Sequence, residues 1–304
     1  MREERLIVMM LLCVAGWGFQ SPIFAQDAAG RARQALAEAR AALGGEKLST
    51  LRSLSVEGGY RRMMGQGREM SGDVTYDLLL PDKMMRTETM RPFGDMEITR
   101  LEAMNGDGVW EDQQQSGGGG GMVMIRRGVG GGGGEDPKKA QEMAQQAIRG
   151  EFARFSLGLL LTTASSFPVE YAFAGEAESP DGKADVLDVT GPNGFAARLF
   201  LDQKSHRPLM LTYKGKKPRM VMHTATGGPP SQADVEKRIR ESEAEAARSP
   251  DVEYQIRFSD YKEVNGISLP HRISKGIESE TSEEIEFKKF KVNPQIKPEK
   301  FVKK

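Results

Sequence analysis

The hydrophobic pattern of this chain changes period several times, and each change marks an element. Val252, Tyr254, Ile256 and Phe258 alternate with Glu253, Gln255, Arg257 and Ser259, the period-two code of a strand with one buried face. Asn265-Gly266 follows, the strongest short signal for a hairpin turn. Ile267, Leu269, His271 and Ile273 then carry a second strand with the same kind of buried face. Ile285 and Phe287 open a third, and Phe290 and Val292 continue it in shifted phase, which predicts a bulge near Lys288-Lys289. The chain therefore ends in an antiparallel meander.

Similar runs earlier in the chain predict strands at Leu54–Met64, Glu69–Leu80, Met84–Met90, Met96–Met104 and Val109–Asp112. Pro81-Asp82-Lys83 and Asn105-Gly106-Asp107-Gly108 are turns between some of them. Further strands are expected at Val169–Gly175, Ala184–Thr190, Ala196–Leu201, Leu209–Tyr213 and Arg219–His223. Three segments read as helices. Asp27 can cap the first, which runs to Leu43 and stops at Gly44-Gly45, with one more helical turn over Glu46–Leu51. Glu135-Asp136-Pro137 starts the second, which extends from Lys138 to about Thr163 before Pro168. Its first half is polar, and its second half holds Phe152, Phe155, Leu157, Leu159, Leu160 and Leu161. The third, Asp234 to Arg248, pairs Glu236 with Arg240 and Lys237 with Glu241 at i,i+4 and has only Val235 and Ile239 as an apolar stripe. It reads as a solvated excursion. The order helix, strands, helix, strands, charged helix, strands is an α+β layout with helices packed on an antiparallel sheet.

Composition changes this picture in two places. Ser116 to Gly134 holds eleven glycines in nineteen residues, too little apolar surface to offset backbone entropy, so a flexible insert is expected there. A second, charged helical insert is expected over 227–250. At the N-terminus Arg2 and Arg5 flank an apolar run from Leu6 to Phe19, the layout of a signal peptide too short to span a bilayer comfortably. Cleavage is expected after Ala25, leaving a single domain over 26–304 in the periplasm. The one cysteine, Cys13, lies inside that run, so the mature chain has no thiol for a disulfide or a metal site. Lys plus Arg and Asp plus Glu each number 43, and a neutral chain has no general field to attract nucleic acid or anionic membrane.

Catalytic and metal signatures are absent from the pattern. His206, His223 and His271 have no second histidine or carboxylate at ligand spacing, so no metal and no cofactor is expected. His271 falls on the inward phase of its strand and reads as an interior or rim histidine. Ser165-Ser166 lacks the Gly-x-Ser-x-Gly elbow, and a hydrolase built on either serine with His271 is the weakest of the functional readings. Arg61, Arg62, Glu283-Glu284 and Glu111-Asp112 read as solvated surface. The positive signal is soft apolar side chains: Met63, Met64, Met70, Met84, Met85, Met90, Met96 and Met104 crowd the first strands, and Met210, Met220 and Met222 recur later. Methionine is over-used on adaptable apolar binding surfaces, which points to a cavity.

Several residue groups, in this order, resemble the outer-membrane lipoprotein carrier superfamily (LolA/LolB-like). They are Ala42-Leu43-Gly44-Gly45-Glu46-Lys47-Leu48 leading into Leu51-x-Ser53-Leu54-x-Val56-x-Gly58, then Leu80-Pro81-Asp82-Lys83-Met84-Met85-Arg86, then Asn105-Gly106-Asp107-Gly108-Val109-Trp110. Leu199-Phe200-Leu201-Asp202-x-x-Ser205-x-x-Pro208 follows, and the tail from Phe258-Ser259-Asp260-Tyr261 through Asn265-Gly266-Ile267-x-Leu269-Pro270 to Val292-Asn293 and Phe301 matches best. The resemblance implies an incomplete antiparallel β-barrel (a half-barrel) with helices covering its concave side, and an apolar concavity for acyl chains. In the carrier branch an arginine before the equivalent proline helps hold the cover closed; Leu80 stands there, so neither that lock nor a transporter-driven hand-off carries over to what reads as a divergent member.

The expectation is a monomeric, non-enzymatic periplasmic protein that binds a lipid or a lipoprotein acyl chain. Its expected lining is Met63, Met85, Met96, Met104, Phe152, Phe155, Leu160, Phe200 and Tyr254, chosen by pattern and fold analogy. The alternative is an envelope scaffold with a filled core that contacts an envelope protein partner.

Overall fold

The computed structural model of the chain describes residues 22–64, 67–91, 95–116, 137–179, 182–216, 250–278 and 280–303. The expected leader over 1–25, apart from Pro22–Ala25 at the start of the first helix, the glycine run over 117–134, the strand Arg219–His223 and the charged helix Asp234–Arg248 lie outside the described residues.

Helix α1 (Pro22–Leu43) and the short α2 (Glu46–Ser49) come first. Five strands follow: β1 (Ser53–Met64), β2 (Arg68–Leu79), β3 (Lys83–Met90), β4 (Glu97–Asn105) and β5 (Gly108–Ser116). The long helix α3 (Pro137–Leu160) precedes β6 (Glu170–Ser179), β7 (Gly182–Thr190), β8 (Ala196–Asp202) and β9 (Pro208–Lys216). The expected terminal meander is β10 (Asp251–Val264), β11 (Ile267–Ile277) and β12 (Glu280–Val292). The first helix begins at Pro22, five residues before the expected Asp27 cap, because proline is well placed at a first helical position where its missing N–H costs nothing. Strand β5 continues four residues past Asp112, its polar end paired against β4 as far as Ser116 opposite Glu97.

All twelve strands form one antiparallel sheet in the order β5-β4-β3-β2-β1-β12-β11-β10-β9-β8-β7-β6. Among the described strands, β1–β12 is the one pairing of strands distant in sequence, and the others join strands consecutive in the order given. Among the described residues the sheet does not close, and β5 and β6 are its edges: an incomplete barrel with helices against its inner face. Turn chemistry sets the registers. Val264 pairs with Ile267 across Asn265-Gly266, whose φ angles of 52° and 79° are those asparagine and glycine accept and most residues resist. The bulge lies where the phase shift predicts it: Glu57 faces Lys289 and Gly58 faces Phe287, so Lys288 is the extra residue.

The core lies between the inner face and the helices. Helix α1 contributes Ala32, Ala35, Leu36, Ala39 and Leu43, a stripe of 3.6 period whose small members let it lie close to the sheet. Arg31 stacks over Phe173 of edge strand β6 at 3.7 Å. Helix α3 brings Ile148, Phe152, Phe155, Leu157, Leu159 and Leu160, all buried.

The outer face has its own cover. After β12 the chain crosses β1, where Asn293 accepts from the Arg52 and Ser53 amides. It then buries Phe301 completely against Met85 and Ala103. Trp110 donates its indole N–H to the Phe301 carbonyl at 2.8 Å, and Lys300 bonds Asp77 at 2.6 Å. Truncating Phe301 to alanine is expected to cost about 3–5 kcal/mol in urea unfolding. Val302→Ala, at a residue 53% exposed, should stay within about 0.5 kcal/mol. Equal effects would mean that the tail is not a structural cover.

Candidate ligand site between the long helix and the sheet

Helix α3 is positioned by packing in its second half and by polar ties along its length. Phe155 stacks face to face on Tyr76 with centroids 4.0 Å apart, and Phe287 closes edge-on against both rings. Gly158 lies directly against the Phe258 ring, where a Cβ would come within 1.8 Å of a ring carbon. This is why a residue of poor helix propensity stands there: it allows the helix axis to approach β10. Along the edges Arg149 donates to the Asp107 carbonyl, Gln145 reaches the Val109 carbonyl at 3.4 Å, and Arg40 of α1 donates to the Leu161 carbonyl at 3.2 Å.

Glu151 is the polar hinge of the contact. Arg154 binds it at 3.1 Å, the Tyr213 hydroxyl donates to it at 3.4 Å, and Lys275 lies 3.8 Å away. Burial would raise the Glu151 pKa, but Lys275, Arg154 and Arg86 outweigh that and hold it below the usual carboxylate range. Arg154 also stacks over the Tyr213 ring at 3.7 Å, and Tyr213 stacks on Tyr254 at 4.9 Å.

Beyond the aromatic band, the inner face carries a buried row of charge. Arg62 of β1 pairs directly across the sheet with Glu283 of β12 and also reaches Glu88 of β3 at 2.9 Å. Arg86 pairs with Glu88 and lies 3.7 Å from its cross-strand partner Glu102, which binds Arg100 at 2.7 Å. Lys275 of β11 faces Glu283 at 3.3 Å. Arg62, Glu88 and Glu283 are all buried, so the expectation of solvated surface is corrected for Arg62 and Glu283, while Arg61 and Glu111 are exposed as expected. The reason is strand phase: Arg62 follows Tyr60, and Glu283 precedes Ile285 and Phe287, on the inward side. Burial would raise the Glu283 pKa; Lys275, Arg62 and Arg86 instead pull it far below the ordinary 4.5. Burial, then Glu88, pushes the Tyr60 hydroxyl up to about 12.

Two small cavities flank α3, and Phe152 lines both. One, about 10 Å³, lies among Leu78, Met84, Met104, Phe152 and Phe167. The other, about 20 Å³, lies among Tyr76, Phe155, Ile256, Phe258, Arg86 and Lys275. Each has room for about one water molecule, so neither holds an acyl chain unless α3 gives up its place.

The structure brings four of the nine expected lining residues together. Met104, Phe152, Phe155 and Leu160 share the main core. Tyr254 joins its edge through Tyr213, and its hydroxyl bonds the Lys216 carbonyl at 2.6 Å. Met63 is 51% exposed, and Met85 packs on the outer face against Phe301. Met96 forms a separate cluster with Met90 and Ile98 beyond the charged row. Phe200 is half-buried, and its neighbours Leu199 and Leu201 are the ones in the core. Pattern reasoning missed Glu151, Lys275, Arg86 and Gly158. Of the hydrolase residues, Ser165 bonds Asp82 and Ser166 donates to the Gly106 carbonyl at 3.1 Å. His271 lies elsewhere, with Nδ1 3.1 Å from the Leu269 carbonyl and its ring against Phe290.

The chain is similar to a solved LolA-superfamily protein. That protein, from Nitrosomonas europaea, has 12% identity over 90% of this chain and 97% of its own, with a TM-score of 0.47. A domain described for outer membrane lipoprotein sorting, from Vibrio parahaemolyticus, has 10% identity over the same shares and the same TM-score. A DUF1329 family protein from Desulfovibrio piger has 10% identity over 89% and 97%, with a TM-score of 0.45. No family model and no curated protein matches the sequence. At such identities these likenesses say nothing of ligand or partner.

The charged row makes acid stability a direct readout. A folded pKa below the unfolded one contributes stability that is present above about pH 4.5 and is lost as pH falls toward the folded value. Glu283→Gln should lower stability at pH 7 by about 3–5 kcal/mol, since it leaves buried cations short of a partner. It should also flatten the loss seen below about pH 4.5. An unchanged acid slope in chemical denaturation would show that Glu283 does not carry it.

Proposed function

We propose that this chain is a non-enzymatic binding protein of the bacterial envelope, which holds a lipid or lipoprotein acyl chain on the inner face of its open sheet in exchange for α3. The observation that supports this reading is the seat of α3. Its apolar side packs into the main core on the inner face of the sheet, both small cavities flank it, and its edges are held by replaceable polar ties. The described conformation is then the closed, unloaded one. Met104, Phe152, Phe155 and Leu160 are the lining residues the reading retains, with Tyr254 at the rim.

The smallness of the cavities favours a second reading: a scaffold with a permanently filled core that contacts another envelope protein. Native mass spectrometry of the mature protein purified from a periplasm, followed by lipid extraction, separates the two. A co-purifying acylated species supports the carrier; a clean unliganded mass with no later uptake of a fluorescent fatty acid supports the scaffold. Two variants sharpen the test. Gly158→Val drives a side chain into Phe258, so it should lower stability and raise the rate of fluorescent fatty-acid uptake at least severalfold. Phe155→Asp should abolish retention of that ligand; a variant binding as well as wild type would remove α3 from the site.

A further inference from the structure

The cavity beneath the middle of α3 has two chemical ends. On the sheet side Ile256, Phe258, Ile273 and Ile285 form an apolar floor that Phe152 and Phe155 cover from α3, and Arg86, Lys275 and Glu102 are its charged lining besides Glu151. Both cations hold unused donors. The Arg86 Nε is buried and has no hydrogen-bond partner among the described residues. The Lys275 ammonium lies 3.3 Å from Glu283 and 3.8 Å from Glu151, longer than charge-assisted hydrogen bonds. Glu283 is already held by Arg62. Glu151 is therefore the carboxylate that α3 itself supplies, and Tyr213 donates to the same group. Moving α3 away withdraws that carboxylate and leaves Lys275 and the Arg86 Nε beside an apolar floor, with the Tyr213 hydroxyl, outside the cavity's present lining, freed of its Glu151 partner.

We propose that this cavity is the head-group end of the ligand site and takes the carboxylate of a single-chain fatty acid, with Lys275, Arg86 and Tyr213 as its donors. The inference rests on the reading of α3 as a displaceable cover. Like replaces like: the incoming carboxylate takes the place of Glu151, and the acyl chain takes the place of the Phe152 and Phe155 side chains. A neutral head group of the same chain length would leave the half-buried Lys275 without its second carboxylate, a cost specific to that ligand.

The test compares oleate with oleyl alcohol by calorimetric titration of the mature full-length protein, in wild type and in Lys275→Met. Wild type is expected to bind oleate at least about tenfold more tightly than the alcohol. Lys275→Met, which keeps the length of the side chain and removes its charge, should erase that preference while alcohol binding stays within about twofold. Comparing two ligands on the wild type needs no variant to fold. Equal affinities for the two ligands in wild type would overturn the head-group assignment and leave the carrier reading standing. Binding of neither ligand would overturn both. A preference retained in Lys275→Met would overturn the assignment of these donors.

Discussion

An antiparallel sheet that curves without closing must have one apolar face covered by something other than itself, and the rest of this structure follows from that constraint. A closed barrel buries its inner face on its opposite wall. Here strands β5 and β6 remain edges, so α1 and α3 perform the burial. The two helices do it differently. Helix α1 uses alanines to lie close along β6, and Arg31 over Phe173 braces its solvent side. Helix α3 uses large aromatic side chains, and the last residues of the helix are buried on every side. One cover is a tight strap and the other a bulky plug.

The charged row gives this sheet a second constraint. Buried ion pairs contribute little net stability, because desolvation offsets most of the attraction. Their effect here falls on register. Arg62 opposite Glu283, Lys275 opposite Glu283 and Arg86 opposite Glu102 are direct cross-strand partners. A slip of one residue would turn each of them to the outer face and leave its partner buried alone. The pairing of β1 with β12 closes the longest loop in the fold, and it is the one most in need of such a specification. The same row ends the apolar band, so the inner face is divided into a hydrocarbon-like zone under α3 and a polar boundary.

Most of the fold was legible because its signals are local. Alternation placed the strands, Asn265-Gly266 placed a hairpin, and the shift between Phe287 and Phe290 located the bulge at Lys288. The site was legible only in part, and the reason is specific. Charge alone reads Arg62 and Glu283 as exposed, although they, like Arg86 and Lys275, stand in phase with inward apolar neighbours: Tyr60, Ile285, Met84 and Ile273. Phase outranked residue type. Likewise, Met85 and Phe200 are large and soft, yet each stands one residue out of step with the inward Met84 and Leu199. What covers the outer face, Phe301, lies about two hundred residues from the strands it covers, and no periodicity reports a contact of that range.

On the proposed reading, the energetics of exchange are near balance. Burying a large apolar side chain is worth about 1.5–3 kcal/mol, and the exchanged part of α3 presents roughly five, so about 8–15 kcal/mol must be replaced. An acyl chain of roughly sixteen carbons, at about 0.8 kcal/mol per methylene, offers about 13 kcal/mol. Neither occupant wins by much, and a modest difference at the polar end then decides which one stays. That is why the contact between Glu151 and Lys275 matters more than its length suggests. It lies at the boundary where the apolar contributions cancel, so a ligand that supplies its own carboxylate tips the exchange, and one that cannot supply it leaves α3 in place.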